Sequence, residues 1–372
     1  MNQTILENAV QLRHELHQHP ELSGHETETK QRLISFLQKN ASLEIVDRGL
    51  WFYAKYSAAE PTQKPIAFRA DFDAIKAFED DTLPYASVNA GVAHKCGHDG
   101  HASALAAFAA DVSLRGLKRD AYFIFQHGEE TGIGGKAASM LLEETAIDEI
   151  YAIHNYPGKP VGSVNTREKT ICFGSVGVRM DFTGVATHAS TPELGKNPAK
   201  IISELVLELE PLTAKHARDG LVLATVVQID VGEEAFGVSA GSGKLLLTVR
   251  GERQKEYRGL LDDLCEQARQ KAEVYGFKLE ISYHDYFPET YNHAICVNKI
   301  KKVCKEKGFP YAEMKEALRT SEDFGYFTQK VPGAMIWLGS GENTAPLHNP
   351  RFDYPDELIS KSEEIFWALA EA

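Results

Sequence analysis

The sequence predicts an α/β protein: one discontinuous α/β domain with a helix-covered mixed sheet, and a smaller ferredoxin-like α+β domain inserted into it. Three observations predict this. Apolar, β-rich runs alternate with helical patterns over residues 1–173. From 174 to 286 the order becomes strand, helix, strand, strand, helix, strand, the split pattern of a ferredoxin-like unit. From 287 to 372 the first texture resumes.

Each element follows from its residues. Helical periodicity covers 4–18 and 26–38. PIAFRAD (65–71) is a strand, and GHASALAAFAADVSL (100–114) is a helix on its alanine content. AYFIFQ (121–126) is a strand that leads through the Gly-broken turn HGEETGIGG to a helix over 136–144. EIYAIHN (149–155) is the next strand. In the insert, SVGVRMDFTG (175–184) alternates as a half-buried strand does. A helix over 197–212 carries Pro198 near its first turn, where proline is tolerated. Strands at 221–230 and 244–252, a long helix at 255–276 and a strand at 277–285 complete it. A helix at 294–307, the strand AMIWLGS (334–340) and a closing helix at 357–372 return to the first domain.

The bulk properties narrow the function. The 372 residues exceed what one core usually serves, so two domains are expected. Net charge is −13, which disfavours nucleic acid and anionic lipid as partners. No apolar run approaches the ~18 residues a membrane span needs. The N-terminal stretch MNQTILENAVQLRHELHQHPEL lacks a basic start followed by an apolar block, so a cytoplasmic protein is expected. Cys96, Cys172, Cys265, Cys296 and Cys304 are odd in number and form no CxxC pair. That fits free thiols in a reducing compartment, four of them as packing residues.

Cys96 differs because of its neighbours. HKCGHDGH (94–101) packs three histidines, a cysteine and an aspartate into eight positions. In open α/β sheets, sites form at the carboxyl ends of strands. Asp71 and Asp73 end the 65–71 run, Glu129 and Glu130 follow 121–126, His154 closes 149–155 and His348 follows 334–340. Singly, each has an ordinary explanation. An adjacent Glu pair is usually a solvated turn, a lone His a hydrogen-bonded residue, and Asp-x-Asp turn chemistry. Together with the bunched His and Cys, a metal site is the better reading. Cys96 and His98 are two apart, so on extended backbone they face the same way. Thiolate plus imidazole suits Zn, Mn, Co or Ni rather than Mg or Ca. In a Glu-Glu pair one carboxylate can ligate while the other serves as general base toward a metal-bound water, whose pKa can reach ~7. That is hydrolytic machinery. No GxxxxGK[ST] and no strand-linked GxGxxG is present.

The ordered motifs carry a resemblance that runs nearly end to end. They are RHELHQHPELSGHETET (13–29), FRADFDAI (68–75), HKCGHDGH, FQHGEETGIGGKAA (125–138), AIHNYPGKPVGSV (152–164), THAS (187–190), SEDFGYF (321–327) and LHNPRFDYPDE (347–357). The chain resembles the amidohydrolase branch of the co-catalytic metallopeptidases: aminoacylases, hippurate hydrolases and indole-acetyl-amino-acid hydrolases. The resemblance implies a metal-binding catalytic domain (1–173 and 287–372) with an inserted lid and dimerisation domain (174–286). It implies two divalent metal ions per subunit, held by Cys96, His98, Glu130, His154 and His348. It implies Glu129 as general base, and His188 as the oxyanion-supporting histidine, which in dimeric relatives can come from the partner subunit. Asp73 is similar to a carboxylate that orients a ligand. Asp99 and His101 receive no ligand role, and Asp71 is ambiguous. The implied reaction is metal-dependent hydrolysis of N-acyl or N-aroyl amino acids. The alternatives are a dipeptidase or exopeptidase on the same site, and a catalytically silent binding protein on the same fold. The implied partners are a small N-acyl amino acid or short peptide and a second copy of the chain.

Three departures from the branch are present, and the one in the lid segment bears on substrate rather than on metal. The proline two residues before the Glu pair in this branch is replaced by His127 in QHGEE. FRADFDAIKAFED lacks the proline after Asp-x-Asp. GEEAFGVSAGSG (232–243) replaces a Gly-Gly and Asn-Val-Ile-Pro run, with Gly237 at the asparagine position. His127 reads as a satisfied turn residue, with a compensating substrate contact as the alternative.

Overall fold

A computed structural model describes residues 2–80 and 83–372 and divides into two compact units. The first comprises Met1–Ile171, Thr290–Glu316 and Asp323–Ala372; the second comprises Cys172–Glu289 with Ala317–Glu322.

The first unit is built on an eight-stranded mixed sheet. Its strands run in the order Glu44–Asp47, Phe52–Tyr56, Ala121–Gln126, Ile66–Asp71, Glu149–Tyr156, Gly333–Gly339, Val164–Thr166 and Tyr311–Glu313. The four central strands are mutually parallel, and Phe52–Tyr56 joins them antiparallel. The central strands are apolar along nearly their whole length because both faces are covered. Parallel strands end on the same side, so Asp71, Gln126 and the His154–Tyr156 end of the third strand share one edge.

Helix His98–Arg115 packs against strand Ile66–Asp71 and against helices Gln3–Gln18 and Glu357–Glu371. Every residue from His98 to Val112 is buried. Alanine makes this affordable, since small side chains let neighbours approach from all sides without opening voids. The aromatic centre of this core brings Phe68 to 5.0 Å from both Phe108 and Phe366, ring to ring, in edge-on contacts.

The second unit is a four-stranded antiparallel sheet with two helices. In space the strands run Val222–Val231, Ser242–Gly251, Gly174–Thr183, Lys278–Phe287. With helices Ala199–His216 and Gln254–Tyr275 between strands, this is the ferredoxin-like arrangement. Val176, Val178, Met180 and Phe182 alternate inward and meet Ile201, Leu205, Leu260 and Leu264 from the helices.

Three local expectations are revised. Residues 136–144 do not form one helix; they split into Gly134–Ala138 and Leu141–Glu144 around a turn at Ser139–Met140, where the Ser139 hydroxyl donates to Lys136 O at 3.1 Å. The helix expected at 100–114 begins at His98, after Gly97 in the left-handed region with φ +97°. Cys96 and His98 therefore do not lie on one extended run. Finally, Ala317–Glu322 packs with the second unit: Phe173 N–H donates to Leu318 O and Thr320 O, both at 3.0 Å, and Arg250 donates to Arg319 O at 3.1 Å.

Candidate metal centre

Gly97 breaks the chain direction between Cys96 and His98, and both side chains still meet at one point. A Cβ at Gly97 would lie 2.4 Å from Asn155 Oδ1, and one at Gly100 would lie 2.3 Å from the Tyr354 ring. Only glycine lets the HKCGHDGH segment approach the end of the Glu149–Tyr156 strand this closely. Cys96 Sγ then sits 3.6 Å from His154 Nε2.

The two imidazoles are oriented alike. His98 Nδ1 donates to Asp73 Oδ1 at 3.0 Å and lies 3.1 Å from Asp73 O. His154 Nδ1 donates to Asn155 O at 2.9 Å. Both rings thereby turn Nε2 inward. His98 Nε2 is buried with no hydrogen-bond partner and lies 3.9 Å from oxygens of Asp71, Glu129 and Glu130. Glu130 Oε1 is likewise buried and unpaired; it stands 3.3 Å from His348 Nε2 without hydrogen-bond alignment.

The Glu129–Glu130 turn follows strand Ala121–Gln126 and is fixed at its backbone. Glu130 N–H donates to Asp73 Oδ2 at 3.0 Å, and Asp323 N–H lies 3.4 Å from Glu129 Oε1. Asp323 is anchored by Arg69 at 2.6 Å, by Gln126 at 2.8 Å and by Gly135 N–H at 2.7 Å. Glu129 is buried rather than solvated, as an ordinary turn glutamate would be. His348 arrives on the loop after strand Gly333–Gly339. Its backbone is left-handed, φ +64°, and its N–H donates to Lys95 O at 2.7 Å.

Five triads of possible ligands result among the described residues, and two of them share Cys96. The ligand atoms of Cys96, His98 and His154 lie within 4.8 Å of one another, and so do those of Cys96, Glu130 and His348. Cys96 belongs to both. Burial, and next the Glu130 charge, push the Cys96 thiol well above its ordinary range. Burial opposes the His98 imidazolium, but Asp71 and Cys96 outweigh it and raise His98 well above its usual value. Burial, then His101, hold His154 well below its own. Unpaired buried atoms facing each other, and a thiol surrounded by carboxylates, are what a divalent cation would satisfy. The donor set of sulfur, imidazole and carboxylate fits borderline transition metals.

Of the other motif residues, His94 is buried with neither ring nitrogen hydrogen-bonded, whereas Asp99, Lys95 and His101 are engaged elsewhere. Asp99 accepts from Arg13 Nε at 3.1 Å and from His17 Nδ1 at 2.8 Å. Lys95 pairs with Glu79 and donates to Phe352 O at 2.8 Å. His101 bridges Asp71 Oδ1 and Asn155 Oδ1, 2.6 Å from each. Burial opposes the Asp71 charge, yet His98, Arg69 and His101 hold it well below the carboxylate range. His127 differs from the satisfied turn residue expected: it is buried, and its Nδ1 has no hydrogen-bond partner.

His188 belongs to the second unit. It is exposed, on a two-residue strand that pairs with Val238–Ser239, and Ala189 N–H donates to Gly237 O at 3.0 Å. His188 Nδ1 accepts from Ser190 N–H at 3.1 Å. The divergent segment noted in the sequence is therefore the strand partner of this histidine.

Trp337 was not singled out by its sequence. It stacks on His154 with ring centroids 4.4 Å apart and an interplanar angle of 27°. The two are register partners across parallel strands, a relation only the sheet order reveals.

Comparison with known proteins bears on the family and the fold. A curated N-acetyldiaminopimelate deacetylase of Lactobacillus helveticus is 29% identical over 363 residues, 94% of this chain and 92% of that protein. The N-acetylcysteine deacetylase of Bacillus subtilis is 26% identical, covering 97% of this chain and 95% of its own. Among solved structures, the Bacillus subtilis YXEP protein, described as a dinuclear metal binding peptidase from the M20 family, superposes with a TM-score of 0.83 at 24% identity, covering 99% of this chain and 98% of its own. The model of peptidase family M20/M25/M40 matches residues 67–372, and this chain belongs to that family.

Proposed function

We propose that the protein is a two-metal amidohydrolase that cleaves the amide bond of N-acyl or N-aroyl amino acids, releasing a carboxylate and a free amino acid. The observation that carries this reading is the Cys96 thiol common to two ligand triads, with Glu129 beside them 3.9 Å from His98 Nε2. The printed activities of the relatives, deacetylation of N-acetyldiaminopimelate and of N-acetylcysteine, support the substrate class.

Cys96, His98 and His154 would hold one ion, and Cys96, Glu130 and His348 the other. Bound divalent ions supply Lewis-acid activation of water and of the scissile carbonyl. Glu129 takes the proton from the attacking water and delivers it to the leaving amine as the C–N bond breaks and the C–O bond forms. Asp323 N–H orients that carboxylate. Asp73 fixes the His98 ring and the Glu130 backbone together. Because His188 Nδ1 accepts a backbone N–H, its Nε2 is the donor available to a developing oxyanion. Mn, Zn, Co and Ni all suit the donors. Five free, buried cysteines support a reducing, cytoplasmic setting. Among the described residues no helix is long and apolar enough to cross a membrane. A homodimer through the insert is the assembly the family resemblance implies.

A panel of N-acetyl amino acids, hippurate and dipeptides, each with added Mn, Zn, Co or Ni, tests the reading. Turnover of the N-acyl compounds is expected. Preference for dipeptides replaces it with an exopeptidase. No turnover, with no metal-dependent rise in melting temperature, indicates a silent binding protein.

A further inference from the structure

The HPELSGHE stretch, residues 19–26, has no part in the chemistry just described, yet it runs directly beneath the metal centre. Leu22 forms a parallel bridge with Ala74, and Ala74 N–H donates to Glu21 O at 2.8 Å. This backbone splice brings two side chains to the two halves of the site. Ser23 Oγ donates to Asp73 Oδ2 at 2.7 Å, and Asp73 Oδ1 is the acceptor for His98 Nδ1. Glu26 Oε1 accepts the Gly128 N–H at 2.7 Å, one residue before Glu129.

Glu26 is unusual for its position. It is 1% exposed, and its Oε2 has no hydrogen-bond partner. It sits at the start of helix Thr27–Asn40 but makes no side-chain cap there. A carboxyl buried at such cost, with one oxygen on the Gly128 N–H and the other without a partner, is not explained by packing or capping. Gly128 itself needs holding. Its φ is +58°, and a Cβ there would lie 2.5 Å from Ile133. Its carbonyl accepts from Ile133 and Gly134 N–H at 3.1 and 3.2 Å, so with Glu26 on its N–H the peptide groups on both sides of Gly128 are hydrogen-bonded.

We infer that residues Glu21–Glu26 form a two-armed positioning brace: Glu26 sets the direction of the Glu129–Glu130 turn, and Ser23 sets the His98 ring through Asp73. Glu26 and Ser23 touch neither substrate nor metal; each is a positioning residue. The Glu26 arm rests on the amidohydrolase reading, because it acts on the general base. The Ser23 arm acts on a ligand and is read by metal binding alone.

The test uses the full-length protein with Mn(II) titration, steady-state kinetics on N-acetyl amino acids and thermal melting. Glu26→Leu removes the acceptor, and kcat is expected to fall about 10–100-fold with KM within about 3-fold and Mn(II) affinity unchanged. Glu26→Gln keeps an oxygen for Gly128 N–H, and kcat is expected within about 3-fold of wild type. Ser23→Ala is expected to weaken Mn(II) binding by about 10-fold while kcat at saturating metal stays near wild type. The brace is overturned if Glu26→Leu turns over at the wild-type rate. It is also overturned if Glu26→Gln loses activity as Glu26→Leu does, or if Ser23→Ala binds Mn(II) as tightly as wild type. Should Glu26→Leu fail to fold, the glutamine and alanine variants decide alone. Should the wild type hydrolyse none of these substrates yet bind metal, the functional reading fails and the Ser23 arm still judges the brace.

Discussion

The residues proposed for the chemistry differ in burial between the two units. In the first, Cys96, His98, His154 and Glu129 are all buried, and their orienting partners Asp73 and Asp323 are also buried. In the second, His188 and the whole Glu233–Val238 segment are exposed, with Phe236 97% exposed. The first arrangement is held by buried hydrogen bonds, His98 by Asp73, His154 by Asn155 O and Glu129 by the Asp323 N–H. The second is a short surface ladder whose side chains are set by little beyond themselves. Departures from the family pattern occur in both: His127 is buried beside Glu129 in the first unit, and the Glu233–Val238 segment is exposed in the second. If the proposed roles hold, substitutions in the two units should fail in different ways.

The largest effect expected is at the general base. Glu129→Gln should lower kcat by about 10²–10⁴-fold while Mn(II) or Zn(II) content, measured by elemental analysis, stays at the wild-type level. Unchanged turnover would remove Glu129 from its role. His188→Ala, on the exposed ladder, should lower kcat by about 10²–10³-fold, the scale of losing one oxyanion donor. Its signature is an unchanged melting temperature and unchanged metal affinity. A fall in either would show that the two units are less independent than their burial indicates. Asp73→Asn comes next. It disturbs both His98 and the Glu130 backbone, so metal affinity should fall about 10–100-fold in a competition titration. Excess metal should restore much of the activity. The smallest effect is expected from Gly237→Asn, which restores the family residue. A Cβ there meets nothing within 4 Å, so the fold should be indifferent. KM should move by about 3–10-fold and differently for each member of the substrate panel, the scale of one hydrogen bond gained or lost.

Much of the site was legible because metal ligation constrains residue type so tightly. A cysteine and histidine bunched beside glycines have few other uses, and each further ligand type stands at the end of an apolar run. The strands themselves were legible because the central parallel strands are mainly apolar, with polar residues such as Asp71, Gln126 and His154 near their ends. What stayed hidden depends on contacts distant in the chain. That Trp337 stacks on His154 follows from sheet order, which no local pattern encodes. The same holds for Glu26 and Gly128, linked across more than a hundred residues. The start of the Ala-rich helix was misplaced because Gly97 ends the preceding turn in a left-handed conformation, and glycine carries no side-chain signal of a cap. The 136–144 helix was over-extended because its residues all favour helix, while a serine hydroxyl bonding back to the chain interrupts it. His127 was misjudged because burial of one ring nitrogen cannot be read from its neighbours in sequence.

The order in which the ligands occur along the chain has a consequence for how the protein comes into being. Cys96, His98, Glu130 and His154 precede the insert, whereas His348 follows it. On a ribosome adding about 5–20 residues per second, roughly 10–40 s separate the appearance of His154 from that of His348. During that interval the first triad is complete and the second lacks a member. The loop bearing His348 also supplies the backbone bond to Lys95, so its arrival fastens the end of the polypeptide to its first third. Loading of the proposed second position would therefore be a timestamp: it could be finished only on a chain whose inserted unit has already been made.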